Sequence, residues 1–249
     1  MPMKLVTTAL ILLIVFNVQA ANEIDMKVEA ALADTSRPQA HRDRDENRLP
    51  LETLNFFGLK DNMRVMELIP GGGWYTRVLA PVLAENGQLY VALGTSRISE
   101  GVLTEPGFEE VIRVETSENL HRPKGARFYV MEKFDFDVTN LDMVLTFRNL
   151  HNFGPEARAI MNQEVFRSLK SGGLYGVVDH TRRHMEQLDN ENRRRIDPVL
   201  VIREMLDLGF EFVDYADLHF RGDDELEYEV GRRSVSGNTD RFTFLFRKP

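Results

Sequence analysis

One stretch of the chain combines an acid with a glycine loop. Residues Arg64–Tyr75 read RVMELIPGGGWY, an apolar run that contains Glu67 and ends at Pro70–Gly73. The run predicts a short strand buried on both faces, and the apolar spacing in Trp74–Leu83 predicts a helix after the loop. Glycines let a backbone come close to a ligand, and the first N–H groups of a helix point into the space they open. We expect a nucleotide-type cradle, with a plain tight turn as the alternative, in which Glu67 accepts a hydrogen bond from an amine or a hydroxyl.

Two further groups of polar residues directly follow apolar segments that predict strands. Arg148–Asn152 supplies a cation, two amides and an imidazole, and Asp179 precedes His180 at the end of another segment. Polar groups in such places are costly to bury without partners, which favours a site. His151 could act as a base near neutral pH or be a structural histidine, and Asp179 could orient an imidazole. Because right-handed crossovers place the carboxyl ends of strands along one edge of a sheet, these residues can converge with Glu67 on one pocket.

Metal chemistry has little support in the residue pattern. The chain has no cysteine, so no thiolate can bind a metal or act as a nucleophile. His180 and His184 would share a face only on a helix, and the arginines between them favour a solvated loop. A metal site would also need a third ligand, which this spacing does not supply. We therefore predict no metal.

The remaining pattern alternates strands with helices. Further strands are predicted at Gln88–Leu93, Arg127–Val130, Leu141–Phe147, Leu174–Val178, Phe210–Tyr215 and Arg241–Arg247. One helix is predicted to begin at Gly154 and to end at Lys170–Gly173, and another to span Pro198–Leu208, with an apolar face formed by Val199, Ile202, Met205 and Leu206. His219–Thr239 is expected to be a long exposed loop. This alternation indicates a mainly parallel sheet covered on both faces, with ligands at the carboxyl ends of its strands.

The first 58 residues differ from this pattern. Residues 1–20 carry a weak positive charge at Lys4, an apolar run and small residues before Ala20, which predicts a signal peptide cleaved after Ala20. The mature protein would then be periplasmic, with no stable membrane insertion; an uncleaved anchor is the alternative, although the run is short for a spanning helix. Residues 21–58 predict a helical extension, in which Gln39–Arg48 is a solvated charged helix, and residues 59–249 an α/β domain.

The charge balance narrows the class of partner. The 249 residues include 39 acids and 31 bases, giving a formal net charge of −8 with no long basic run. A large footprint on nucleic acid or on an anionic membrane is therefore not expected. A small-molecule substrate is the better hypothesis.

Five short motifs occur in a characteristic order. The pattern E-x-x-P-G-G-G-W-Y-T spans Glu67–Thr76, and the other motifs are Pro50–Leu54, Phe147–Asn152, Val177–His180 and Thr239–Phe242. With them the chain resembles the class I S-adenosylmethionine-dependent methyltransferases, and in particular a group of predicted bacterial methyltransferases that are often exported. The resemblance implies a Rossmann-like fold with a mostly parallel seven-stranded sheet and an antiparallel strand near the C-terminus. It also implies that Glu67 and the glycine loop hold the methionine and ribose end of S-adenosylmethionine.

Two functional hypotheses follow. In the first, the protein transfers a methyl group from S-adenosylmethionine to a small molecule. The cofactor-binding candidates are Glu67, Pro70, Gly71, Gly72, Gly73, Tyr75, Arg148 and Asn149, and the candidate catalytic residues are His151, Asp179 and His180. In the second, a non-catalytic periplasmic protein uses the same cleft for a different ligand. Two departures from the usual methyltransferase pattern favour the second: Ile69 stands in place of the first loop glycine, and Leu93–Thr95 in place of the acid that binds the ribose hydroxyls.

Overall fold

The chain is built around one seven-stranded sheet. The computed structural model describes residues 23–117 and 120–249. The predicted signal peptide lies outside the described residues, so export and cleavage after Ala20 stay predictions. Within the described ranges, no helix is long and apolar enough to cross a membrane.

Helices and strands alternate through most of the chain. The helices are α1 (residues 23–33), α2 (Gln39–Arg42), α3 (Asp45–Arg48), α4 (Pro50–Phe56), α5 (Thr76–Leu83), α6 (Ser96–Ser99), α7 (Pro155–Ser168) and α8 (Pro198–Asp207). The strands are β1 (Arg64–Leu68), β2 (Gln88–Ala92), β3 (Ile112–Arg113), β4 (Leu141–Phe147), β5 (Leu169–His180), β6 (Glu211–Ala216) and β7 (Arg241–Arg247). Two 3-10 helices cover Val102–Thr104 and Leu150–Asn152.

The sheet confirms the expected topology. Its strand order is β3-β2-β1-β4-β5-β7-β6. The strands from β3 to β5 pair in parallel, and β7 runs antiparallel to both β5 and β6. Glu67 of β1 lies in register with Val91 of β2 and Leu145 of β4. The acid is therefore held by strands on both sides, near the carboxyl edge where ligands bind in such sheets.

Successive residues of the inner strands enter opposite cores, as the pleat of a strand requires. Met66 and Val144 pack into a core that includes α7 and α8. Val65 and Leu145 pack into a second core that includes α1, α4 and α5. Because β1 and β4 are covered on both faces, they appear in the sequence as continuous apolar runs.

The N-terminal helices contribute to the second core. Val28 of α1, Leu54 of α4 and Phe57, just beyond α4, are fully buried. The Phe57 ring lies directly over Gly176 of β5, where a larger residue would collide with it. The helical extension is thus packed on the sheet and covers one of its two faces.

We expect Gly176→Ala to destabilise the protein by about 1–3 kcal/mol, the usual cost of overpacking a core. A Cβ at this position would lie 2.7 Å from Leu145 Cδ2 and 2.9 Å from the Phe57 ring. Urea unfolding measures the loss. Gly154→Ala is the matched control, because its Cβ would come no closer than 3.7 Å to Phe128, and as an N-cap change it should cost roughly 1 kcal/mol or less. Equal losses in the two variants would contradict the packing argument.

The predicted strand at Arg127–Val130 is wrong. Among the described residues this segment forms only isolated bridges, from Val130 to His121 and from Tyr129 to Phe153. The third strand along the chain is instead β3, which lies at the edge of the sheet and has two residues, both exposed. It lacks the apolar run that marks the other parallel strands, so the pattern offers nothing by which to find it.

One strand boundary and one helix face in the second half of the chain also differ from expectation. β5 begins at Leu169, so Lys170–Gly173 belong to the strand, with a register shift opposite Leu141 that accommodates them. Helix α8 buries Val201 and Met205 and leaves Val199 and Leu206 half exposed. Apolar residues lie on two sides of α8, and the side with Val201 and Met205 is the one that packs into the core.

The charged segments pack more closely than their composition indicates. Gln39–Arg48 forms two short helices, and Arg48 is buried, so the expected single solvated helix is wrong. His219–Thr239 has no helix or strand, yet His219 and Asp224 within it are buried. These side chains lie inside because specific partners, described below, satisfy their polar groups.

Candidate active site

Three neighbouring strands end at a residue with left-handed backbone. Ile69, Leu93 and Arg148, which follow β1, β2 and β4, have φ values of 52°, 62° and 64°. Such a conformation costs a non-glycine residue roughly 1–2 kcal/mol. The sheet fixes the bends, since Ile69 N–H donates to Ala92 O at 2.8 Å and Arg148 N–H to Val178 O at 2.7 Å. The turns direct the following loops over the carboxyl edge of the sheet, and strain of this kind concentrates at functional sites.

A first cavity of about 400 Å³ lies at these strand ends. Seven of the eight cofactor-binding candidates line it: Glu67, Pro70, Gly71, Gly72, Tyr75, Arg148 and Asn149. Gly73 is not among its lining residues. It has φ 76°, and a Cβ there would be 2.6 Å from Val102 Cγ2. The loop therefore needs glycine at this position for packing, while Gly71 and Gly72 present backbone to the cavity.

Glu67 is the acid of the first cavity. Its side chain is almost wholly buried, and Oε2 accepts a hydrogen bond from the Thr76 hydroxyl at 2.6 Å. Burial raises the pKa of Glu67 to about 7, against the smaller opposing effects of Thr76 and Arg48. A buried carboxylate with one protein donor retains acceptor capacity for a ligand.

The other walls of the first cavity are fixed by direct contacts. Asn149 Nδ2 donates to Leu68 O at 3.2 Å and to Thr146 Oγ1 at 3.1 Å. The Tyr75 ring stacks on Phe147 with centroids 3.5 Å apart. Trp74 Nε1 donates to His41 O at 2.9 Å, which ties the N-terminal segment to the start of α5. Trp74 thus has a packing role, although it also lines the cavity.

Several lining residues escaped the sequence reasoning. His41, Arg44 and Arg48 come from the charged N-terminal segment, and Arg97 comes from α6. Arg48 lies against Trp74, with its guanidinium carbon 4.3 Å from the ring centroid. Because Arg44 lies four residues before Arg48 in a run of charged residues, the sequence there looks like a solvated helix face. No sequence signal marks Arg48, because its contact with the rings of Trp74 and Tyr75 is visible only in the fold.

A second cavity of about 420 Å³ shares Arg44, Arg48 and Arg148 with the first. The loop before β7 supplies much of its remaining wall, through Val230, Gly231, Ser236, Gly237 and Thr239. His180 also lines it, with Nδ1 2.9 Å from Thr239 Oγ1. Burial, helped by His151 and nearby arginines, lowers the pKa of His180 well below its usual value. The imidazole is therefore neutral at pH 7.

The structure brings the three catalytic candidates together and points two of them to different cavities. Asp179 is fully buried and lies 2.5 Å from His151 Nδ1, and it accepts the backbone N–H groups of His151 and His180 at 3.1 Å and 2.7 Å. The two imidazole centroids are 5.6 Å apart. His180 lines the second cavity, whereas His151 lines a separate small cavity of about 70 Å³. The expected convergence with Glu67 on one pocket is therefore wrong for all three catalytic candidates, because none of them lines the first cavity.

His184 lies apart from this group. Its Nδ1 is 3.0 Å from Asp197 Oδ2, while His180 contacts Thr239. Among the residues that the structure describes, no group of three or more metal-binding side chains is arranged to hold an ion.

Comparisons with known proteins bear on the fold. Models of protein families give no match, and curated protein sequences give none either. A SAM-dependent methyltransferase from Aquifex aeolicus is similar with a TM-score of 0.56 and 16% identity, covering 89% of this chain and 97% of that chain. The glycopeptide N-methyltransferase MtfA complexed with sinefungin has a TM-score of 0.52 and 16% identity, covering 83% and 94%. The fold is that of class I methyltransferases.

The methyltransferase fold does not by itself fix the reaction. The [4+2]-cyclase SpnF is equally similar, with a TM-score of 0.55 and 16% identity over 82% of this chain and 80% of that chain. One fold carries more than one chemistry, so function has to be argued from the site.

The departures from the methyltransferase pattern have different consequences. Ile69 takes the left-handed conformation that a glycine adopts readily, so the loop keeps its turn without the glycine. At the end of β2, Leu93 and Gly94 both have positive φ and offer no carboxylate. Arg97 of α6 faces the first cavity from that side. The usual acid is absent there and a cation lines the wall.

Proposed function

We propose that the protein binds S-adenosylmethionine in the first cavity and transfers its methyl group to a small molecule in the second. The position of Glu67 carries the proposal: a buried carboxyl group at the end of β1, facing a cavity beside the backbone of Gly71 and Gly72. Neighbours with the same fold that are named as methyltransferases support it.

The lining of the first cavity suits the polar groups of the cofactor. Glu67 can accept from its ammonium group or a ribose hydroxyl, and Arg97, which lines the first cavity and not the second, can donate to its carboxylate. At Gly72 a Cβ would meet no atom closer than Arg97 Nη2 at 3.9 Å, so this side of the loop is open to a ligand. The volume of about 400 Å³ lies in the range of small-molecule sites, roughly 300–1,000 Å³.

When bound, the cofactor supplies a methyl group on a cationic sulfonium. The protein then has to align the acceptor and, where necessary, remove its proton. His180 would accept this proton; its place in the wall of the second cavity and its lowered pKa, which leaves it neutral, support this role. Asp179 acts through this residue as a positioning group, since it accepts the backbone N–H of His180 and also contacts the His151 imidazole.

Calorimetric titration with S-adenosylmethionine and S-adenosylhomocysteine tests the proposal. We expect saturable binding that Glu67→Gln weakens about 10- to 100-fold, because a hydrogen bond to a charged group contributes roughly 1.5–3 kcal/mol. Glu52→Gln, at an exposed acid of α4, is the control and should bind like the wild type. No binding by a folded sample at millimolar ligand would sink the proposal and favour a binding protein for another ligand.

A further inference from the structure

The second cavity has a strongly cationic wall. Five arginines line it: Arg44, Arg48, Arg148, Arg194 and Arg241. Arg194 pairs with Glu229. The other four have no carboxylate partner among the described residues, and Asp43 is the one acid among the residues that line the cavity. An excess of positive charge therefore surrounds this space.

The other buried arginines show how unusual this is within the chain. Seven arginines are at least nine-tenths buried in the part that the structure describes. Four of them hold a carboxylate: Arg37 with Asp45, Arg77 with Glu105, Arg158 with Glu204 and Arg195 with Asp224. Arg48 and Arg241 do not, and both line the second cavity. Arg182, the third without one, faces the small cavity of His151.

Arg48 and Arg241 are poorly satisfied by the protein. Arg48 Nε is buried without a hydrogen-bond partner in the part of the chain that the structure describes, and the guanidinium lies over the rings of Trp74 and Tyr75. Arg241 Nε donates to the Thr239 carbonyl at 3.2 Å. Burial and the charge of Arg148 lower the pKa of Arg241 to about 10. Removing one partner of a buried ion pair is costly, so a cation buried without any partner indicates that a ligand supplies the anion.

We propose that the second cavity binds a small organic anion through Arg48, Arg148 and Arg241, and that this anion is the methyl acceptor. A bond from an acceptor atom to the methyl carbon would form as the methyl–sulfur bond breaks, the sulfur would leave with the electron pair as the thioether, and any proton on the acceptor atom would pass to His180. The charged group of the anion is a carboxylate or a phosphate, since a guanidinium binds either through paired N–H donors. The anion site rests on the lining alone, whereas the acceptor role rests on the proposed function. His180 and Thr239 line the same space, which places the acceptor beside the proposed base.

The fluorescence of Trp74 tests the proposal on the full chain. It is the single tryptophan of the chain, and Arg48 lies against its ring. Titration with sodium phosphate and, separately, sodium malonate, at an ionic strength held constant with sodium chloride, is expected to change the emission in a saturable way. The tighter of the two anions identifies the charged group. Arg241→Gln should weaken both at least tenfold, and Arg203→Gln, at an exposed arginine of α8, should change neither.

The fold of the variant and the cofactor site are checked separately. Arg241→Gln should melt no lower than the wild type, because it removes an unpaired buried charge. If it does not fold, Arg241→Lys replaces it, since lysine keeps the charge but loses the paired N–H donors, and it should also weaken both anions. Arg241 does not line the first cavity, so the affinity of Arg241→Gln for S-adenosylhomocysteine should equal that of the wild type.

An anion response no larger than that of chloride would overturn the proposal, as would displacement of the anion by S-adenosylhomocysteine. Anion binding without any binding of S-adenosylhomocysteine would remove the proposed function and leave the anion site standing.

Discussion

Asp224→Ala is expected to lower the free energy of unfolding by about 3–5 kcal/mol, the usual cost of breaking a buried ion pair. Both side chains of the Arg195–Asp224 pair are fully buried, and two N–H donors of Arg195 lie 2.9 Å from the two carboxylate oxygens. Asp224 also accepts the backbone N–H groups of Asp240 at 2.6 Å and Leu226 at 3.1 Å. The substitution leaves a buried guanidinium without its anion and two backbone donors without their acceptor.

Urea unfolding of three variants distinguishes the loss of this buried ion pair from the loss of a charged side chain at the surface. Asp207→Ala breaks the exposed pair Arg203–Asp207 and should change the stability by less than about 0.5 kcal/mol. The double variant Arg195→Met/Asp224→Ala should be more stable than Asp224→Ala alone, because no unpaired charge remains. A loss below roughly 1 kcal/mol for Asp224→Ala would show that water reaches Arg195 and that the loop is loosely packed.

This ion pair also explains why the loop before β7 could not be placed from the sequence. Asp224 and Arg195 are 29 residues apart, and nothing in either neighbourhood distinguishes a buried charge from a solvated one. His219, in the same loop, lies 2.7 Å from Thr243 Oγ1 and 2.9 Å from Arg48 O. Burial lowers its pKa to about 4, so it is neutral in these contacts at pH 7. Such long-range polar contacts determine the packing of this loop, and the local pattern contains no record of them.

The strands and the glycine loop were predictable for a simple physical reason. A parallel strand covered on both faces is a continuous apolar run, and a loop that carries glycines interrupts it visibly. Glu67 and Arg148 therefore line one cavity, as their places at strand ends predicted. β3 has no such run. The sequence also does not show in which direction a side chain points after a strand end. For this reason it could not predict that His151 and His180 face different cavities.

The cationic wall is the part of the site that depends most on the fold. Arg48 comes from the N-terminal extension, Arg148 from a strand end and Arg241 from the last strand. Arg148 stands out in the sequence by its place after a strand, but Arg48 and Arg241 look like ordinary surface arginines. Only the packing of α3, β4 and β7 shows that the three charges share one cavity and that no carboxylate within residues 23–117 and 120–249 pairs with them.

Glu67→Gln is expected to stabilise the ligand-free protein at pH 8 by about 3 kcal/mol. Burial raises the pKa of Glu67 from 4.5 to about 7. Between these values the folded state binds more protons than the unfolded state, so this group makes the wild type less stable as the pH rises from about 4.5 to about 7. A difference of roughly 2.5 pKa units corresponds to about 3 kcal/mol. The amide of glutamine can still accept from the Thr76 hydroxyl, and it carries no charge to bury.

Urea unfolding at pH 5 and at pH 8 measures the effect. The variant and the wild type should differ by less than about 1 kcal/mol at pH 5 and by about 3 kcal/mol at pH 8, whereas Glu52→Gln, at an exposed acid, should follow the wild type at both. A variant that is less stable than the wild type at pH 8 would refute the argument. Together with the expected loss of S-adenosylmethionine binding, the gain in stability would assign the carboxylate to a ligand, because a residue kept for the fold would not destabilise it.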